Sequence, residues 1–149
     1  MKIAILGNGG REHCIAYTLS KSKKISKIFC LPGNAGTSEV AQNKDIDINN
    51  FELIYKFLKK EDIKFVIVGP EQPLVNGIVD YLEKNDVKVF GPNKIASQLE
   101  GSKIFTKNLC KKYNIPTANF GIFDNEISAI DFLKKTNHPM VIKADNLAS

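Results

Sequence analysis

One short stretch near the N-terminus constrains the fold more than any other part of the chain. An apolar run, Ile3 to Leu6, is followed at once by Gly7-Asn8-Gly9-Gly10-Arg11-Glu12-His13. A buried strand that breaks into glycines and restarts as a helix brings the backbone close to a ligand and points helix amides at it. The sequence therefore predicts an anion-binding turn between a first strand and a first helix.

Arg11 strengthens this prediction, because it is the only arginine among 21 lysine and arginine residues. A chain this rich in lysine would fill an ordinary solvated position with lysine. The rigid guanidinium fork suits bidentate recognition of phosphate or carboxylate. The residue favours a phosphate-binding role, with chance placement as the alternative.

The composition excludes several other classes of protein. With 43% hydrophobic and 25% charged residues in 149, the chain is typical of a soluble globular protein. The net charge of +5 comes from lysines scattered over predicted helix faces, which favours a solvated surface over a nucleic-acid interface. The apolar residues within 1–6 are too few and wrongly flanked for a signal peptide, and no apolar run approaches membrane-spanning length, so neither a signal peptide nor a membrane is expected.

The three cysteines are odd in number and widely spaced, without a CxxC pair. This pattern predicts reduced thiols in a cytoplasmic protein rather than a disulfide framework or a zinc site. We expect Cys14 to be a small core residue of the first helix.

Strands and helices alternate over the first hundred residues. Strands are predicted at 2–6, 28–31, 65–68 and 87–90, with a short edge strand at 45–48, and helices at about 12–20, 50–60 and 73–84. This order predicts an α/β fold, an open and mostly parallel sheet with helices on both faces. Ligands bind such sheets beyond the carboxyl ends of the strands. Three loops lie at these ends and should converge on one crevice: GNGGREH (7–13), PGNAGT (32–37) and GPE (69–71).

The chain changes character after about residue 100. We predict a helix over 101–113, a short strand at 120–122, a helix over about 125–135 and a buried strand at 140–143. Lys143 ends that last strand, where an ammonium group would be costly without an anionic partner. The apolar faces of Ile104, Phe132 and Leu133 should stay partly uncovered, so this segment should be mobile or pack on a second copy.

A dinucleotide-binding domain, and with it an oxidoreductase, is disfavoured. The fingerprint G-x-G-x-x-G would begin at Gly7, but Glu12 stands at its third glycine and adds negative charge where a pyrophosphate would lie. The second strand ends in Leu31-Pro32, without an acidic residue for the ribose hydroxyls. Both tests of spacing fail.

The loops together resemble one family. GNGGREH, PGNAGT, VGPEQPLVNGIVD (68–80), FGP (90–92), LEGSK (99–103), YNIPTA (113–118) and VIKAD (141–145) occur in this order along the whole chain. In this set the chain is similar to the N-terminal part of the phosphoribosylamine–glycine ligase family, within the ATP-grasp superfamily. The resemblance implies a Rossmann-like substrate-binding domain over 1–100, followed by the start of an ATP-grasp domain over 101–149.

The resemblance also implies an activity. Such enzymes of de novo purine synthesis join glycine to 5-phosphoribosylamine, consume ATP, and need Mg²⁺ or Mn²⁺. Glycine's carboxylate is first phosphorylated, and the amine then attacks the glycyl phosphate. The complete enzyme is expected to be a cytoplasmic monomer without nucleic-acid or membrane partners. The present chain, which corresponds to its N-terminal part, could self-associate.

The residue types and the resemblance together indicate two sets of candidate binding residues, one for the substrate and one for ATP. The substrate set comprises Gly9, Gly10, Arg11, Glu12, Asn34, Gly36, Gly69, Pro70 and Glu71. Glu71 would accept from a hydroxyl or amine; its alternative role is that of a carboxylate at a helix N-terminus. Asn34 and Gly36 have the alternative of an ordinary turn. Lys103 and Lys143 match the two ATP lysines of the superfamily, with a surface charge as the alternative for Lys103.

The resemblance decays at the C-terminal end. The family continues VIKAD as a glycine-rich loop over the phosphates, whereas this chain reads Asn146-Leu147-Ala148-Ser149. The metal-binding acidic residues and most of the ATP-grasp domain are absent, so the chain alone is expected not to catalyse ligation. Two alternatives stay open: a non-catalytic sugar-phosphate-binding module, and another ATP-grasp enzyme of purine synthesis, carboxylating or formylating.

Overall fold

The chain divides into two compact units, Met1–Ser97 and Gln98–Ser149. A computed structural model describes residues 1–137 and 139–145. The first unit contains the sheet and its covering helices. The second unit contains the end of the helix Lys94–Gly101, two further helices, and connecting segments without strands among its described residues.

The first unit is built on a five-stranded sheet in the order β3-β2-β1-β4-β5. Every neighbouring pair is parallel. The strands are β1 Lys2–Gly7, β2 Lys27–Pro32, β3 Gln42–Asn43, β4 Phe65–Val68 and β5 Lys88–Phe90. The predicted parallel α/β sheet is confirmed, and β1 lies at its centre.

Seven helices are described: α1 Gly10–Ser20, α2 Phe51–Glu61, α3 Glu71–Asn76, α4 Ile78–Glu83, α5 Lys94–Gly101, α6 Lys103–Lys112 and α7 Glu126–Lys134. Alternate residues of β1 face two separate cores, because side chains alternate along a strand. Ile3 and Ile5 join Ala16 of α1 on one face. Ala4 and Leu6 join Ile54, Leu58, Ile78 and Leu82 of α2 and α4 on the other. Helices on both faces are thereby confirmed.

Local signals account for the helix boundaries. The Asn50 side chain accepts from the Leu53 amide at 3.0 Å and begins α2, and Asn125 does the same for α7. The prediction of a single helix over 73–84 is wrong, because Gly77 adopts φ +96° and divides that stretch into α3 and α4. None of the helices among the described residues is long and apolar enough to cross a bilayer.

Two further sequence predictions for the first unit are wrong. The edge strand is Gln42–Asn43, where two residues pair with Phe29 and Cys30, and 45–48 forms no strand. Cys14 is exposed rather than in the core. It lies on α1 away from Ala16, whose side chain is fully buried against the sheet.

The second unit has almost no interior of its own. Its strands predicted at 120–122 and 140–143 are absent, and Val141 and Ile142 are each 79% exposed. A strand needs a hydrogen-bonded neighbour, and none is described in this unit, whereas helices satisfy their own backbone. Gly101 is the only buried residue among 98–137 and 139–145, so the expected uncovered faces of Ile104, Phe132 and Leu133 are confirmed.

Candidate functional site

The three loops predicted to converge do so at the carboxyl end of β1. The Gly33 amide donates to the Gly7 carbonyl and the Gly69 amide donates to the Leu6 carbonyl, both at 3.1 Å. These bonds extend the sheet pairing into the loops that follow β2 and β4. The glycine turn after β1 is therefore flanked by PGNAGT on one side and GPE on the other.

Arg11 joins two of these loops. On α1 it is 60% exposed, and its guanidinium reaches the loop after β4, where NH1 donates to the Gly69 carbonyl at 2.6 Å. NH2 donates to Glu71 Oε1 at 2.9 Å. The backbone amide of Glu71, followed by the Arg11 guanidinium, lowers the pKa of the Glu71 carboxyl. The fork is therefore held in place at the edge of the crevice, beside an ionised carboxylate.

Glu12 is buried, at 4% exposure, and explains why the turn is rich in glycine. Its Oε2 accepts from the Gly9 amide at 2.6 Å, the pattern of a carboxylate three residues into a helix that caps the helix N-terminus. A Cβ on Gly69 would lie 2.6 Å from Glu12 Cδ, and one on Gly7 2.7 Å from it. The glycines therefore make room for a side chain of the protein.

The bond between Glu12 and the Gly9 amide reduces the number of backbone amides in the glycine turn that could donate to a phosphate. The Gly9 amide, which the sequence suggests as a donor to a ligand, donates to Glu12 Oε2 in this structure. Gly10 is the first residue of α1, where a backbone amide has no acceptor within the helix. Space beside Gly10 is open, since a Cβ there would meet nothing within 4 Å.

Asn34 connects the second loop to the glycine turn. Its Nδ2 donates to the Asn8 carbonyl at 2.8 Å, and its Oδ1 accepts from the Thr37 amide at 2.9 Å. The fully buried Thr37 hydroxyl accepts from the Asn34 amide at 2.7 Å and lies 2.8 Å from Asn43 Oδ1. Both ends of the Asn34 side chain are thus engaged in holding the loop.

The remaining members of the substrate set line the same region. Gly36 lies against the His13 ring, where a Cβ would stand 2.6 Å from Cε1. Pro70 precedes α3 in an extended conformation and leads from Gly69 to Glu71. All nine candidates of this set therefore belong to the three loops that meet at the carboxyl end of β1.

The two lysine candidates lie on segments of the second unit that contact each other. Lys103 is the first residue of α6, and Lys143 is exposed. Asp145 Oδ1 accepts from the Ile104 amide at 2.9 Å, and Asp145 Oδ2 lies 2.9 Å from Ser102 Oγ. The Ile104 amide is the largest cause of the lowered pKa of Asp145. VIKAD is thereby tied to the N-terminus of α6, although not as the buried strand expected for Lys143.

Within the described parts of the chain, no group of three or more His, Cys, Asp or Glu side chains could hold a metal ion. An open groove of about 410 Å³ lies at the amino ends of β2 and β3, lined by Ser26, Lys27, Ile28 and residues 38–42. That end of the sheet is opposite the glycine loops, and we assign no function to the groove.

Sequence reasoning missed the supporting residues of the crevice. The spacing of Gly9 and Glu12 is that of a capping pair, which would have indicated an internal role for the carboxylate. Thr37 follows Asn34 at the spacing of a turn closed by side chains, which signals the bonds between them. The contact of Asn43 with Thr37 comes from β3, and no local signal predicts it.

Comparisons with known proteins agree on one family along the whole chain. The model described as phosphoribosylglycinamide synthetase, N domain, matches residues 1–100. The model for the ATP-grasp (A) domain of the same synthetase matches residues 101–149.

Individual relatives carry the matching name. Phosphoribosylamine–glycine ligase of Clostridium acetobutylicum is 43% identical over 149 residues, covering 100% of this chain and 36% of the relative. That of Caldanaerobacter subterraneus subsp. tengcongensis is 48% identical over 148 residues, covering 99% of this chain and 36% of the relative. The crystal structure of the Thermotoga maritima ligase superposes with a TM-score of 0.76 at 33% identity, over 99% of this chain and 34% of that one. The chain thus spans about a third of the length of these relatives.

Proposed function

The chain belongs to the phosphoribosylglycinamide synthetase family, and from that premise we propose that it supplies the substrate-binding part of an ATP-dependent carbon–nitrogen ligase. The reaction joins glycine to 5-phosphoribosylamine and gives glycinamide ribonucleotide, ADP and phosphate. Residues 1–100 would form the substrate-binding domain and residues 101–149 the start of the ATP-grasp domain. The setting would be the cytoplasm.

The observation that carries the proposal is the position of Arg11. Its guanidinium lies at the carboxyl end of the sheet, bonded to Gly69 and Glu71 beside the turn that contains Gly10. A sugar phosphate requires a bidentate cation and nearby amides, and a ribosylamine requires a carboxylate that accepts from hydroxyl or amine. Arg11 with the first turn of α1 meets the first requirement, and Glu71 meets the second.

The other candidates take supporting roles in this proposal. Asn34 and Gly36 would form one wall of the crevice, and Gly69 and Pro70 the other. We assign Glu12 to holding the turn from inside, because its carboxylate is buried and bonded to the Gly9 amide.

For ATP, the proposal rests on Lys103 and Lys143 and on the match to an ATP-grasp domain. The superfamily's phosphoryl transfer depends on Mg²⁺ or Mn²⁺ to neutralise developing charge. The described residues offer no ligand set for such an ion, so no step is assigned to it here. We expect the 149-residue chain to bind the phosphorylated sugar without ligating it to glycine.

A calorimetric titration of the chain with ribose 5-phosphate tests the site. Arg11→Ala should weaken binding about tenfold or more, because a charge-assisted pair of hydrogen bonds to phosphate is lost. Lys56→Ala removes one positive charge from an exposed ion pair on α2 and should leave the affinity within about twofold. Equal affinity in the parent and Arg11→Ala would reject Arg11 as the phosphate ligand and overturn this placement of the site.

A further inference from the structure

The Arg11–Glu71 ion pair occupies the guanidinium that a phosphate entering the crevice would need. Both guanidinium nitrogens at the tip of Arg11 already have acceptors, Gly69 O at 2.6 Å and Glu71 Oε1 at 2.9 Å. The two side chains are 60% and 33% exposed, so a ligand can reach both. A phosphate that takes the fork of Arg11 must therefore compete with Glu71 for it.

The charges at Gly69 make that competition unfavourable for a bare anion. The buried Glu12 carboxylate packs against Gly69 from one side, and the Arg11–Glu71 pair lies at its carbonyl. One guanidinium and two carboxylates leave an excess of negative charge. A phosphate group adds further negative charge at neutral pH. If it draws Arg11 away, the Glu71 carboxylate keeps only the bond from its own backbone amide and loses its charged donor, which costs the carboxylate part of its stabilisation.

A ligand that carries its own donor removes this cost. A hydroxyl or an amine at the right distance from the phosphate can donate to Glu71 Oε1 in place of Arg11 NH2. The carboxylate then exchanges one donor for another, while the guanidinium turns its fork to the phosphate. Phosphate binding and donor binding are thereby coupled through the two exposed side chains.

We propose that the Arg11–Glu71 pair is a selectivity device that admits phosphorylated sugars with a hydroxyl or amino donor and disfavours inorganic phosphate. The inference rests on the proposed function and specifies how the same crevice chooses its ligand class. Glu71 is then more than an acceptor: it holds Arg11 until a ligand offers both a phosphate and a donor.

Titrations with two probes test the coupling: ribose 5-phosphate, which has phosphate and donors, and inorganic phosphate, which has no sugar donors. The quantity compared is the ratio of the two dissociation constants, phosphate over ribose 5-phosphate. In Glu71→Gln, phosphate should bind as tightly as in the parent or more tightly, because Arg11 loses its charged competitor. Ribose 5-phosphate should gain less or bind more weakly, so the ratio should fall about tenfold.

Two further variants fix the interpretation. Glu52→Gln removes one carboxylate from an exposed pair with Lys56 on α2 and makes the same change in net charge away from the crevice. It should leave the ratio unchanged. Glu71→Asp keeps the carboxylate and should retain most of the discrimination against phosphate. Far-UV circular dichroism of each variant checks that it is folded.

The outcomes separate the inference from the function on which it rests. If Glu71→Gln shifts both affinities by the same factor, the coupling is refuted while the sugar-phosphate site stands. If the parent chain is folded and binds ribose 5-phosphate independently of Arg11, the placement of the site fails and the coupling fails with it. A fall in the ratio for Glu71→Gln, with none for Glu52→Gln, supports the proposal.

Discussion

The substitution Gly69→Ala tests whether the glycines of the crevice serve the buried carboxylate of Glu12. The new methyl group would lie 2.6 Å from Glu12 Cδ, and the carboxylate is enclosed at 4% exposure. To escape the overlap, Glu12 must release the Gly9 amide, a charge-assisted bond worth about 1.5–3 kcal/mol. Residual overpacking adds about 1 kcal/mol. The free energy of unfolding should therefore fall by about 3 kcal/mol.

Urea denaturation followed by far-UV circular dichroism measures this loss. With a slope of about 2 kcal/mol per molar urea, the midpoint should fall by roughly 1.5 M. Gly10→Ala is the matched control: its methyl group meets nothing within 4 Å, and a helical alanine should gain about 0.5 kcal/mol.

A double variant locates the cause. If the carboxylate is the obstacle, Gly69→Ala should cost under about 1 kcal/mol when Glu12 is already alanine. The argument is refuted if Gly69→Ala behaves like Gly10→Ala, or if its cost persists in full without the Glu12 carboxylate.

Three further predictions follow from single contacts. Thr37→Val should lower the free energy of unfolding by about 2 kcal/mol in a urea titration, because it removes the buried hydroxyl that accepts from the part-buried Asn34 amide; an unchanged midpoint would count against it. A thiol reagent at pH 8 should label exposed Cys14 quickly and Cys30 only on unfolding, since burial raises the pKa of the Cys30 thiol to about 11; early modification of Cys30 would contradict its burial. The folded pKa of Glu71 is lowered, so the stability it contributes should be complete above its ordinary pKa of 4.5 and lost as the pH falls below it. The difference in urea midpoint between the parent chain and Glu71→Gln should vanish in acid, and a difference that persists there would contradict a contribution from the ionised carboxylate, which accepts from its own backbone amide and from Arg11.

The fold of the first unit was predictable because its signals are local. Continuous apolar runs followed by glycine or proline identified β1, β2, β4 and β5 to within one or two residues, and helical spacing identified α2. The edge strand escaped because Gln42–Asn43 has only two residues, and its pairing with Phe29 and Cys30 is decided by the tertiary structure. The break at Gly77 escaped because leucine and isoleucine continue at helical spacing across it.

In the second unit, by contrast, an apolar run that is typical of a buried strand has no neighbouring strand to pair with among the described residues. Val141 and Ile142 have the composition of a buried strand, yet each is 79% exposed and without a strand partner among the described residues. Helices α6 and α7 form regardless, since Ser102 and Asn125 cap them locally. An apolar pattern predicts what a segment can bury, and pairing still depends on a neighbour.

In the glycine turn, too, the local sequence pattern does not show which groups will surround the backbone. Its glycines alone indicate a backbone open to phosphate, but the close neighbour of Gly7 and Gly9 is Glu12, and the Gly9 amide is already bonded to its carboxylate. In the proposed phosphate site, Arg11, the only arginine of the sequence, would therefore be the main ligand of the anion. Arg11 in turn is held by Glu71. In the proposed site, one cation and two carboxylates would favour a phosphate joined to an amine or hydroxyl over an anion alone.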